Sequence, residues 1–248
     1  MSQLVLITGG SRGIGAATAL LAAQRGYSVA VNYTANSLAA DEVVRQIRHG
    51  GGQAMAVQAD VADEAQVVAM FEKIDAKFGR LTALVNNAGV VDQTVRIEAI
   101  TLARLQRMFA VNVFGSFLCA REAVRRMSTR HGGAGGAIVN VSSAASRLGS
   151  PGQYVDYAAA KGAIDTFTTG LAREVAAEGI RVNAVRPGII DTDIHASGGL
   201  PHRARDVAPQ VPMQRPGSAR EVAESIVWLL SEQASYTTGA LLDVTGGR

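Results

Sequence analysis

The sequence has 248 residues, of which 48% are hydrophobic and 18% charged, and its formal net charge is +3. This length and apolar content predict a globular protein with one sizeable core and exclude a disordered chain. Basic and acidic side chains are interleaved along the chain, which argues against a nucleic-acid partner because such proteins carry clustered Lys and Arg.

Short apolar runs alternate along the chain with longer segments of helical pattern. Strands are predicted at 4–8, 28–32, 54–58, 83–86, 137–141, 181–185 and 241–244, and helices at 13–25, 37–49, 63–78, 102–127, 157–178 and 218–231. Several of the strands are nearly continuous runs of apolar residues, which is typical of a parallel sheet covered on both faces. The regular alternation predicts an α/β protein with a doubly wound, seven-stranded parallel sheet, in a single domain over residues 1–248.

The N-terminus and the single cysteine bear on where the protein acts. Residues 1–8 lack a basic n-region, and no apolar run approaches the roughly 18–20 residues that span a bilayer. Cys119 is the only cysteine, so an internal disulfide is excluded and a reducing compartment is consistent with the sequence. We therefore expect a cytoplasmic protein that does not interact with membranes.

The first predicted strand runs directly into a glycine-rich turn, Thr8-Gly9-Gly10-Ser11-Arg12-Gly13-Ile14-Gly15. Glycines at a strand–helix junction let backbone N–H groups approach an anion, and the helix N-terminus favours a pyrophosphate. Glycines can also simply end a strand, but the position of this turn favours nucleotide binding. The residues expected to contact the cofactor here are Gly9, Ser11, Arg12, Gly13, Ile14 and Gly15.

The end of the second strand indicates which cofactor is used. The strand ends in Asn32-Tyr33-Thr34 and has no acidic residue that would bind a ribose 2′-hydroxyl and repel a 2′-phosphate. Arg12 lies in the glycine turn near the expected position of that phosphate, and Asn36 and Ser37 offer neutral hydrogen bonds. We therefore expect NADP(H) to be preferred over NAD(H); the alternative for Arg12 is a solvated surface cation.

Residues 191–216 form a long segment rich in Gly and Pro, which also contains His195 and His202. Loops of this length in a compact domain are usually functional or mobile. We expect a substrate-binding lid here, with a plain surface excursion as the alternative. The two histidines are more often solvated than substrate-binding at such positions.

Tyr157 and Lys161 are four residues apart on a predicted helix, so their side chains share one face. A phenol with a pKa of about 10 is a poor base at neutral pH, and a neighbouring cation lowers that pKa. The pair therefore predicts a tyrosine that acts as general acid or base. On its own such a pair would more often be two surface residues.

Together these features resemble the short-chain dehydrogenase/reductase family, in the form whose length matches this chain. The resemblance extends over nearly the whole sequence. The matching segments are the glycine turn, Asp60-Val61, Asn86-Asn87-Ala88-Gly89, Asn112, Ser142-Ser143, Tyr157-xxx-Lys161 and Pro187-Gly188-xxx-Thr192. The joint match is far more specific than any one segment, and it implies a Rossmann-type fold.

The resemblance also implies a role for each matching residue. The catalytic group would be Asn112, Ser143, Tyr157 and Lys161, with Lys161 also holding the nicotinamide ribose and Asn112 serving a water-mediated proton relay to Lys161. Ser143, at the end of a strand, would hydrogen-bond the substrate oxygen. Besides the glycine turn, the expected cofactor contacts are Asn32, Tyr33, Thr34, Asp60, Val61, Asn87, Ala88, Gly89, Tyr157, Lys161, Pro187, Gly188, Ile190 and Thr192.

The spacing of the serine departs from the pattern of close relatives by one residue. Ser143 lies fourteen residues before Tyr157 and Ser142 fifteen, and the extra residue is expected within 153–156. We expect Ser143 to be the catalytic serine, with Ser142 as the alternative. Tyr154 is not a rival catalytic tyrosine, because the residue four positions later is Ala158.

These observations predict an oxidoreductase that moves a hydride between NADP(H) and a carbonyl or secondary alcohol. Similarity to 3-oxoacyl-carrier-protein reductases, at 171–175 and 212–221, leaves open a carrier-protein thioester as substrate, with Arg130 and Arg173 meeting the acidic carrier. Glucose-dehydrogenase-like members share much of the pattern. A non-catalytic nucleotide sensor and an epimerase or dehydratase are the alternatives.

Three further expectations concern metals, assembly and individual side chains. No His, Cys and Asp cluster has metal-ligand spacing, so no catalytic metal is predicted. By analogy with relatives, the closing strand and the helix before it would pack against partner subunits in a homotetramer. Cys119 is expected to be buried, and Trp228 to lie in the core or at an interface.

Overall fold

The computed structural model describes residues 3–192, 198–200 and 202–248. Seven parallel strands form one sheet in the order β3-β2-β1-β4-β5-β6-β9. They are β1 (Leu4–Ile7), β2 (Ser28–Tyr33), β3 (Ala54–Gln58), β4 (Ala83–Asn86), β5 (Gly136–Val141), β6 (Ile180–Pro187) and β9 (Leu241–Val244). The predicted α/β architecture with a seven-stranded parallel sheet is confirmed. That residues 1–248 form a single domain stays a prediction.

Helices cover both faces of the sheet. The long ones are α1 (Gly13–Gln24), α2 (Ser37–His49), α3 (Glu64–Phe78), α4 (Leu102–Phe109), α5 (Gly115–Met127), α7 (Val155–Val175) and α9 (Ala219–Leu230). Alternate strand residues point to opposite faces, so Val5 and Ile7 pack with α1, α2 and α9, whereas Leu4 and Leu6 pack with α3, α5 and α7.

Local sequence explains where several helices begin. Asn36 and Asp63 accept hydrogen bonds from the first turns of α2 and α3, and Ser218 forms a capping box with Glu221 at the start of α9. By contrast, Arg12 precedes α1 without a side-chain cap, and the first turn of α1 contains no acidic residue. The N-terminus of α1 is therefore left open toward the edge of the sheet.

The structure differs from the sequence expectations in three segments. The helix predicted over 102–127 is interrupted by a π-helical turn at Ala110–Phe114. The helix predicted to begin at Tyr157 begins at Val155. The segment 191–216 is not a plain loop: it contains α8 (Arg203–Val207) and β8 (Gly217–Ser218) begins directly after it, paired with β7 (Ile190–Asp191).

A lid function for 191–216 stays a prediction, and His195 lies outside the described residues. Between β5 and α7 a short helix, α6 (Ala145–Leu148), follows the predicted catalytic serine. Cys119 is buried as expected, and burial raises the pKa of its thiol to about 12. Trp228 is 43% exposed on α9, so it is not a core residue. No helix in the described parts of the chain has the length and hydropathy needed to cross a membrane.

Candidate active site

The site lies at the carboxyl ends of the central strands. β1 is flanked by β2 and β4, so the direction in which strands are added reverses between β1 and β4. Ligands of open α/β sheets bind in the crevice at such a reversal. The residues that follow β1, β4, β5 and β6 are those matched by the predicted cofactor and catalytic segments.

One cavity collects the predicted catalytic side chains at this edge. Its volume is about 160 Å³, and its lining includes Ser143, Tyr157 and Lys161 together with residues from four strand ends. Its predicted cofactor contacts are Ile14, Asn87, Gly89, Pro187, Gly188, Ile190 and Thr192. A groove of about 880 Å³ opens beside it and shares Ile189, Ile190 and Arg248, but it contains none of the three catalytic side chains.

The glycine turn has a backbone that other residues would not adopt. Gly9 and Gly13 have positive φ angles of 59° and 53°. A Cβ at Gly15 would lie 2.4 Å from the Gly9 carbonyl oxygen, so only glycine fits there. The first-turn amides of α1 have no acceptor among the described residues, and they form an open site for an anion.

Two buried polar side chains hold this turn in place. The Asn32 amide oxygen accepts from Gly9 N at 3.1 Å, and its Nδ2 donates to the Ala59 carbonyl at 3.0 Å. Asn87 Nδ2 donates to the carbonyls of Thr8 and Gly9 at 2.9 and 3.0 Å. The Asn32 side chain thus supports the turn from within the protein, a function that the expected direct cofactor contact did not include.

No acidic residue lies at the end of β2, over residues 32–36. Tyr33 is partly exposed, Thr34 and Arg12 are exposed, and Arg12 makes no ion pair within the described chain. Asn36 Oδ1 accepts from Ala39 N at 3.0 Å, so this side chain caps α2 and is not free for a ligand.

After β3, local contacts hold Asp60 and Val61 in place. Asp60 Oδ1 accepts from Ala62 N at 2.9 Å, and its own N–H donates to Gln66 Oε1 at 2.9 Å. Val61 is buried against Gly115 at the start of α5, where a Cβ would lie 2.6 Å from a Val61 methyl. These contacts fix the backbone of the Asp60-Val61 pair.

Ser143 and Ser142 have different partners. The Ser143 hydroxyl accepts from Ala145 N at 3.1 Å, and Ser143 and Tyr157 line the same cavity. The Ser142 hydroxyl is buried and donates to the Lys161 carbonyl at 3.1 Å. The Ser142 hydroxyl thus ties the end of β5 to α7, which leaves the Ser143 hydroxyl to donate within the cavity that Tyr157 also lines.

Burial dominates the electrostatics of the two central side chains. Burial raises the pKa of Tyr157 to about 12. The neighbouring Ser143 hydroxyl lowers this pKa, and Tyr154 adds a smaller increase. Burial lowers the pKa of Lys161 to about 8, against an opposite effect of Asp165. Lys161 Nζ donates to the Val141 carbonyl at 2.7 Å and lies 5.7 Å from the Tyr157 ring centroid. The expected lowering of the tyrosine pKa by the lysine is therefore not seen in the protein alone.

The loop after β6 approaches the glycine turn. A Cβ at Gly13 would lie 3.4 Å from the Thr192 methyl, so residue 192 faces the start of α1 across the crevice. Gly188 N donates to the Val244 carbonyl at 2.9 Å, and a Cβ at Gly188 would lie 2.8 Å from Thr245 Cα. Pro187 ends β6 and Ile190 begins β7, so the whole segment is anchored on both sides.

Comparison with known proteins gives this arrangement a family. The family model described as Enoyl-(Acyl carrier protein) reductase matches residues 9–248. A protein of Escherichia coli (strain K12) named Uncharacterized oxidoreductase YgfF is 61% identical over 99% of this chain and 99% of its own. A 3-oxoacyl-[acyl-carrier-protein] reductase of Synechocystis is 40% identical over 99% of this chain and 96% of its own. A solved short-chain dehydrogenase/reductase variant of Serratia marcescens has 34% identity and a TM-score of 0.91, and the match covers 100% of this chain and 98% of that one.

The chain belongs to the short-chain dehydrogenase/reductase family. The resemblance found in the sequence is thereby confirmed, and the protein is an oxidoreductase of this family, whose members bind NAD or NADP. The residues present fit such a cofactor, because the open first turn of α1 and the close approach at Gly13 and Gly15 suit a pyrophosphate.

Asn112 lies in the π-helical turn and is fully buried. Its Nδ2 donates to the carbonyls of Val90 and Met108 at 2.9 and 3.0 Å, and its Oδ1 accepts from Val90 N at 3.2 Å. A Cβ at Gly89 would lie 2.8 Å from Asn112 Oδ1 and 3.6 Å from Lys161 Nζ. The Asn112 side chain therefore fixes residues 89–90 beside Lys161, and its hydrogen-bonding groups are already used. The expected relay role stays a prediction.

Sequence reasoning missed two polar arrangements that support this short-chain dehydrogenase/reductase site. Asn86 Nδ2 donates to Asn140 Oδ1 at 2.9 Å, and Asn140 Nδ2 donates to Thr168 Oγ at 2.9 Å, which links β4, β5 and α7 inside the core. Arg104 binds Asp156 with Nε–Oδ2 and Nη2–Oδ1 distances of 2.7 and 3.2 Å. These partners are 28 to 54 residues apart in sequence, so no local pattern pairs them.

No cluster of His, Cys, Asp and Glu that could hold a metal ion occurs in the described ranges. His202 is exposed beside α8, and nothing in its surroundings assigns it to the site.

Proposed function

We propose that the protein is an NADP(H)-dependent oxidoreductase that moves a hydride between the nicotinamide and a carbonyl or secondary alcohol, with Tyr157 as general acid or base. The observation that carries this proposal is the convergence of Ser143, Tyr157 and Lys161 on one cavity beside the open N-terminus of α1. A protein that only senses a nucleotide has no use for a serine, a tyrosine and a lysine in one cavity, so this grouping favours catalysis over a sensor.

The dinucleotide, when bound, supplies or accepts the hydride. The first-turn amides of α1 would hold its pyrophosphate. Asp60 and Val61 would contact the adenine, and Asn87, Ala88 and Gly89 would line the crevice toward the nicotinamide end. Lys161 would donate to the ribose of the nicotinamide. Pro187, Gly188, Ile190 and Thr192 would cover the other side, where Thr192 already faces Gly13.

The proton is handled by the protein's own side chains. With a pKa of about 12, Tyr157 is protonated at neutral pH and is ready to give its proton to an alkoxide oxygen. Ser143 donates to the same substrate oxygen and stabilises its developing charge. Lys161, one helical turn further on, stabilises the phenolate that remains. In the direction of alcohol oxidation the same groups act in reverse.

The lowered pKa of Lys161 predicts a pH dependence. The ammonium is present below about pH 8 and is lost above it, so the second-order rate constant kcat/KM for carbonyl reduction should be level near pH 7 and fall as the pH rises past 8. The check is a pH profile of NADPH oxidation from pH 6 to 10. A profile that stays level to pH 10 would contradict the assignment of this charge to the proton transfer.

Preference for NADP(H) rests on the absence of an acid after β2 and on the unpaired, exposed Arg12. Replacing Arg12 with alanine should lower the ratio of kcat/KM for NADPH to that for NADH by about tenfold, the loss of one charge-assisted contact to a phosphate. Arg25→Ala is the matched control, since Arg25 lies at the other end of α1 in a surface ion pair with Glu224. An unchanged ratio in Arg12→Ala would remove Arg12 from the cofactor site.

A carrier-protein thioester is one possible form of the carbonyl substrate, because a reductase of that kind is among the relatives. The two arginines expected to meet the carrier do not support this within one chain. Arg130 pairs with Glu178 at 3.1 Å before β5 and β6 begin, at the edge of the sheet opposite the cavity. Arg173 is sixteen residues after Tyr157 on α7, roughly 24 Å along the helix.

We propose a homotetramer as the working assembly. α5 and α7 expose an aromatic pair, Phe117 and Phe167, whose ring centroids are 3.8 Å apart, and Phe117 is 47% exposed. Trp228 on α9, next to the closing strand, forms a second exposed apolar site, and exposed patches of this kind favour protein contacts. Light scattering at micromolar concentration should give four times the 25.8 kDa of the chain; a monomer mass would contradict the proposal. A cytoplasmic location is also part of the proposal and rests on the single, buried Cys119.

The proposed function is tested by NADPH oxidation at the absorbance band of the reduced nicotinamide, with ketones, diketones, acetoacetyl thioesters and sugars as a panel and NADH in parallel. We expect at least one class to turn over faster with NADPH. Binding of NADPH without turnover of any class would favour the sensor.

A further inference from the structure

Two arginines outside the catalytic group line the cavity that holds Tyr157. Arg203 comes from α8, and Arg248 follows β9. Neither of them takes part in the proton transfer proposed above. The proposed proton transfer therefore does not account for the presence of either guanidinium group in the cavity.

Arg203 lies on the side of Tyr157 away from Lys161. Its guanidinium carbon is 5.3 Å from the centroid of the Tyr154 ring, and its Nη2 donates to Gln153 Oε1 at 2.6 Å. Tyr154 precedes Tyr157 by three residues and Lys161 follows it by four, so the two cations flank the phenol along α7. Stacking and one hydrogen bond hold Arg203 rigid but leave its charge without a counterion.

Arg248 has a buried nitrogen without a partner. Its Nη1 is out of contact with solvent and makes no hydrogen bond in the described chain. Asp243 lines the adjoining groove together with Arg248, but it is already engaged, because it pairs with Arg147 at 3.2 Å and with Arg186 at 3.8 Å. Arg147 also donates to the Arg248 carbonyl at 3.1 Å, which fixes the backbone at this position.

The charged side chains that line the described part of the cavity are all basic. Its lining contains Lys161, Arg203 and Arg248 and, over the described residues, no Asp or Glu. No ion pair of the described chain involves either arginine. A buried guanidinium nitrogen without an acceptor is costly, and proteins normally supply one from the protein, from water or from a ligand.

The cofactor's pyrophosphate is not the expected partner of these arginines. Its proposed site is the first turn of α1, whose amides are open, whereas Arg203 stands beyond Tyr157 with Tyr154 and Gln153. Because both arginines line the cavity that contains Tyr157, a group bound to them would share that cavity with the carbonyl that Tyr157 protonates. The site is therefore placed to recognise part of the substrate.

We propose that the substrate is a compact oxo acid, or the hydroxy acid formed from it, whose anionic group is held by Arg203 and Arg248 while its carbonyl faces Ser143 and Tyr157. This inference rests on the proposed function and narrows its substrate class. Guanidinium groups bind carboxylates and phosphates in a planar, two-point manner, so both anions have the required chemistry. The same cavity is lined by both arginines, Ser143 and Tyr157, which favours a substrate whose anionic group lies close to its carbonyl.

Binding of matched probes tests this proposal separately from turnover. Calorimetric titrations of the protein with 4-oxopentanoate, its methyl ester and 2-oxopropylphosphonate are made with NADP⁺ present, so that no reduction occurs. The wild-type protein should bind at least one of the two anions about tenfold more tightly than the ester, the value of one charge-assisted pair. The tighter of the two anions identifies the group that the site takes.

Variants then assign the preference to residues. Arg203→Met and Arg248→Met should each reduce the anion-to-ester ratio about fivefold or more, and Arg203→Lys should restore part of it. Arg205→Met is the matched control, since Arg205 is exposed on the same helix and lies outside the cavity lining. Melting curves of each variant show that the fold is kept.

Equal binding of ester and anions, or an unchanged ratio in both Met variants, would overturn the proposal. So would an equal loss of the ratio in Arg205→Met. An effect of the Met variants confined to NADP⁺ affinity would assign the arginines to the cofactor and also overturn it. Failure of the proposed function would look different: the anion would bind with the expected preference, but NADPH would not be consumed.

Discussion

Replacing Tyr157 with phenylalanine should lower kcat for carbonyl reduction by roughly 10²- to 10⁴-fold, the usual contribution of a positioned general acid. The substitution removes the phenolic hydroxyl from the cavity that Ser143 and Lys161 also line. It leaves the ring, which fills the space next to Lys161 Nζ at 5.7 Å from the ring centroid. The measurement is steady-state NADPH oxidation with the best substrate of the panel.

NADPH binding by the same variant is the control. NADPH affinity, followed by quenching of the nucleotide's fluorescence, should stay within about twofold of the wild type because the first turn of α1 is untouched. Ser143→Ala should show a smaller loss of kcat, since one oxyanion hydrogen bond is worth roughly 10²–10³-fold at most. Wild-type turnover in Tyr157→Phe would rule out the proposed acid.

Replacing Asp156 with asparagine should destabilise the fold by about 3–5 kcal/mol, the cost of leaving one member of a buried ion pair without its partner. The Asp156 side chain is 0% exposed and that of Arg104 11%. Arg104 also donates to the Gln93 carbonyl at 2.6 Å, so this pair joins α4, the segment before it and the first turn of α7. Chemical denaturation followed by circular dichroism measures the change.

Asp92→Asn serves as the matched control for this prediction. Asp92 pairs with Arg107 on the same helix α4, but the two side chains are 30% and 61% exposed. An exposed pair contributes about 0–1 kcal/mol, so the control should unfold close to the wild type. Equal destabilisation by the two substitutions would show that burial of the Arg104–Asp156 pair is not what makes it important.

Asp156 is also adjacent to Tyr157, so the loss of this ion pair bears on catalysis as well. The helix α7 begins at Val155 and has no side-chain cap. The Arg104–Asp156 pair therefore supplies an anchor at this helix start. This position was visible in the sequence only as part of the widened loop 153–156, and its partner 52 residues earlier was not.

The elements that the sequence predicted well are those whose pattern is local. Apolar runs located the strands, and the ends of α2 and β3 match the prediction to the residue. The order of the strands depends on contacts between distant segments, so the local pattern did not predict it. The π-helical turn at Ala110–Phe114 was missed because its i to i+5 bonds leave no mark in an apolar pattern.

In the site, spacing located the catalytic residues but did not describe their environment. Spacing did not decide whether Ser142 or Ser143 is the catalytic serine. The structure distinguishes them, because the Ser142 hydroxyl donates to the Lys161 carbonyl, whereas Ser143 lines the cavity with Tyr157. The effect of Lys161 on the tyrosine was inferred from charge alone. Burial, which depends on the whole fold, outweighs it in the protein by itself.

The two arginines of the cavity also could not be assigned to a site from the sequence. In the sequence, Arg203 is one basic residue of the long segment 191–216 and Arg248 follows the closing strand, and neither position indicates a site. Their meeting at one cavity depends on how α8 and the residues after β9 return to the ends of the central strands. No spacing rule connects positions that are 45 residues apart and belong to different elements.

The central claim is that the protein moves a hydride from the nicotinamide to a carbonyl carbon. The most direct measurement uses NADPH carrying deuterium at both C4 positions, a carbonyl substrate from the panel and mass analysis of the alcohol. We expect one deuterium on the carbinol carbon of the product with the wild-type protein, and almost no deuterated alcohol with Tyr157→Phe. An alcohol without deuterium, or NADPH that binds and yields no alcohol from any member of the panel, would contradict the central claim.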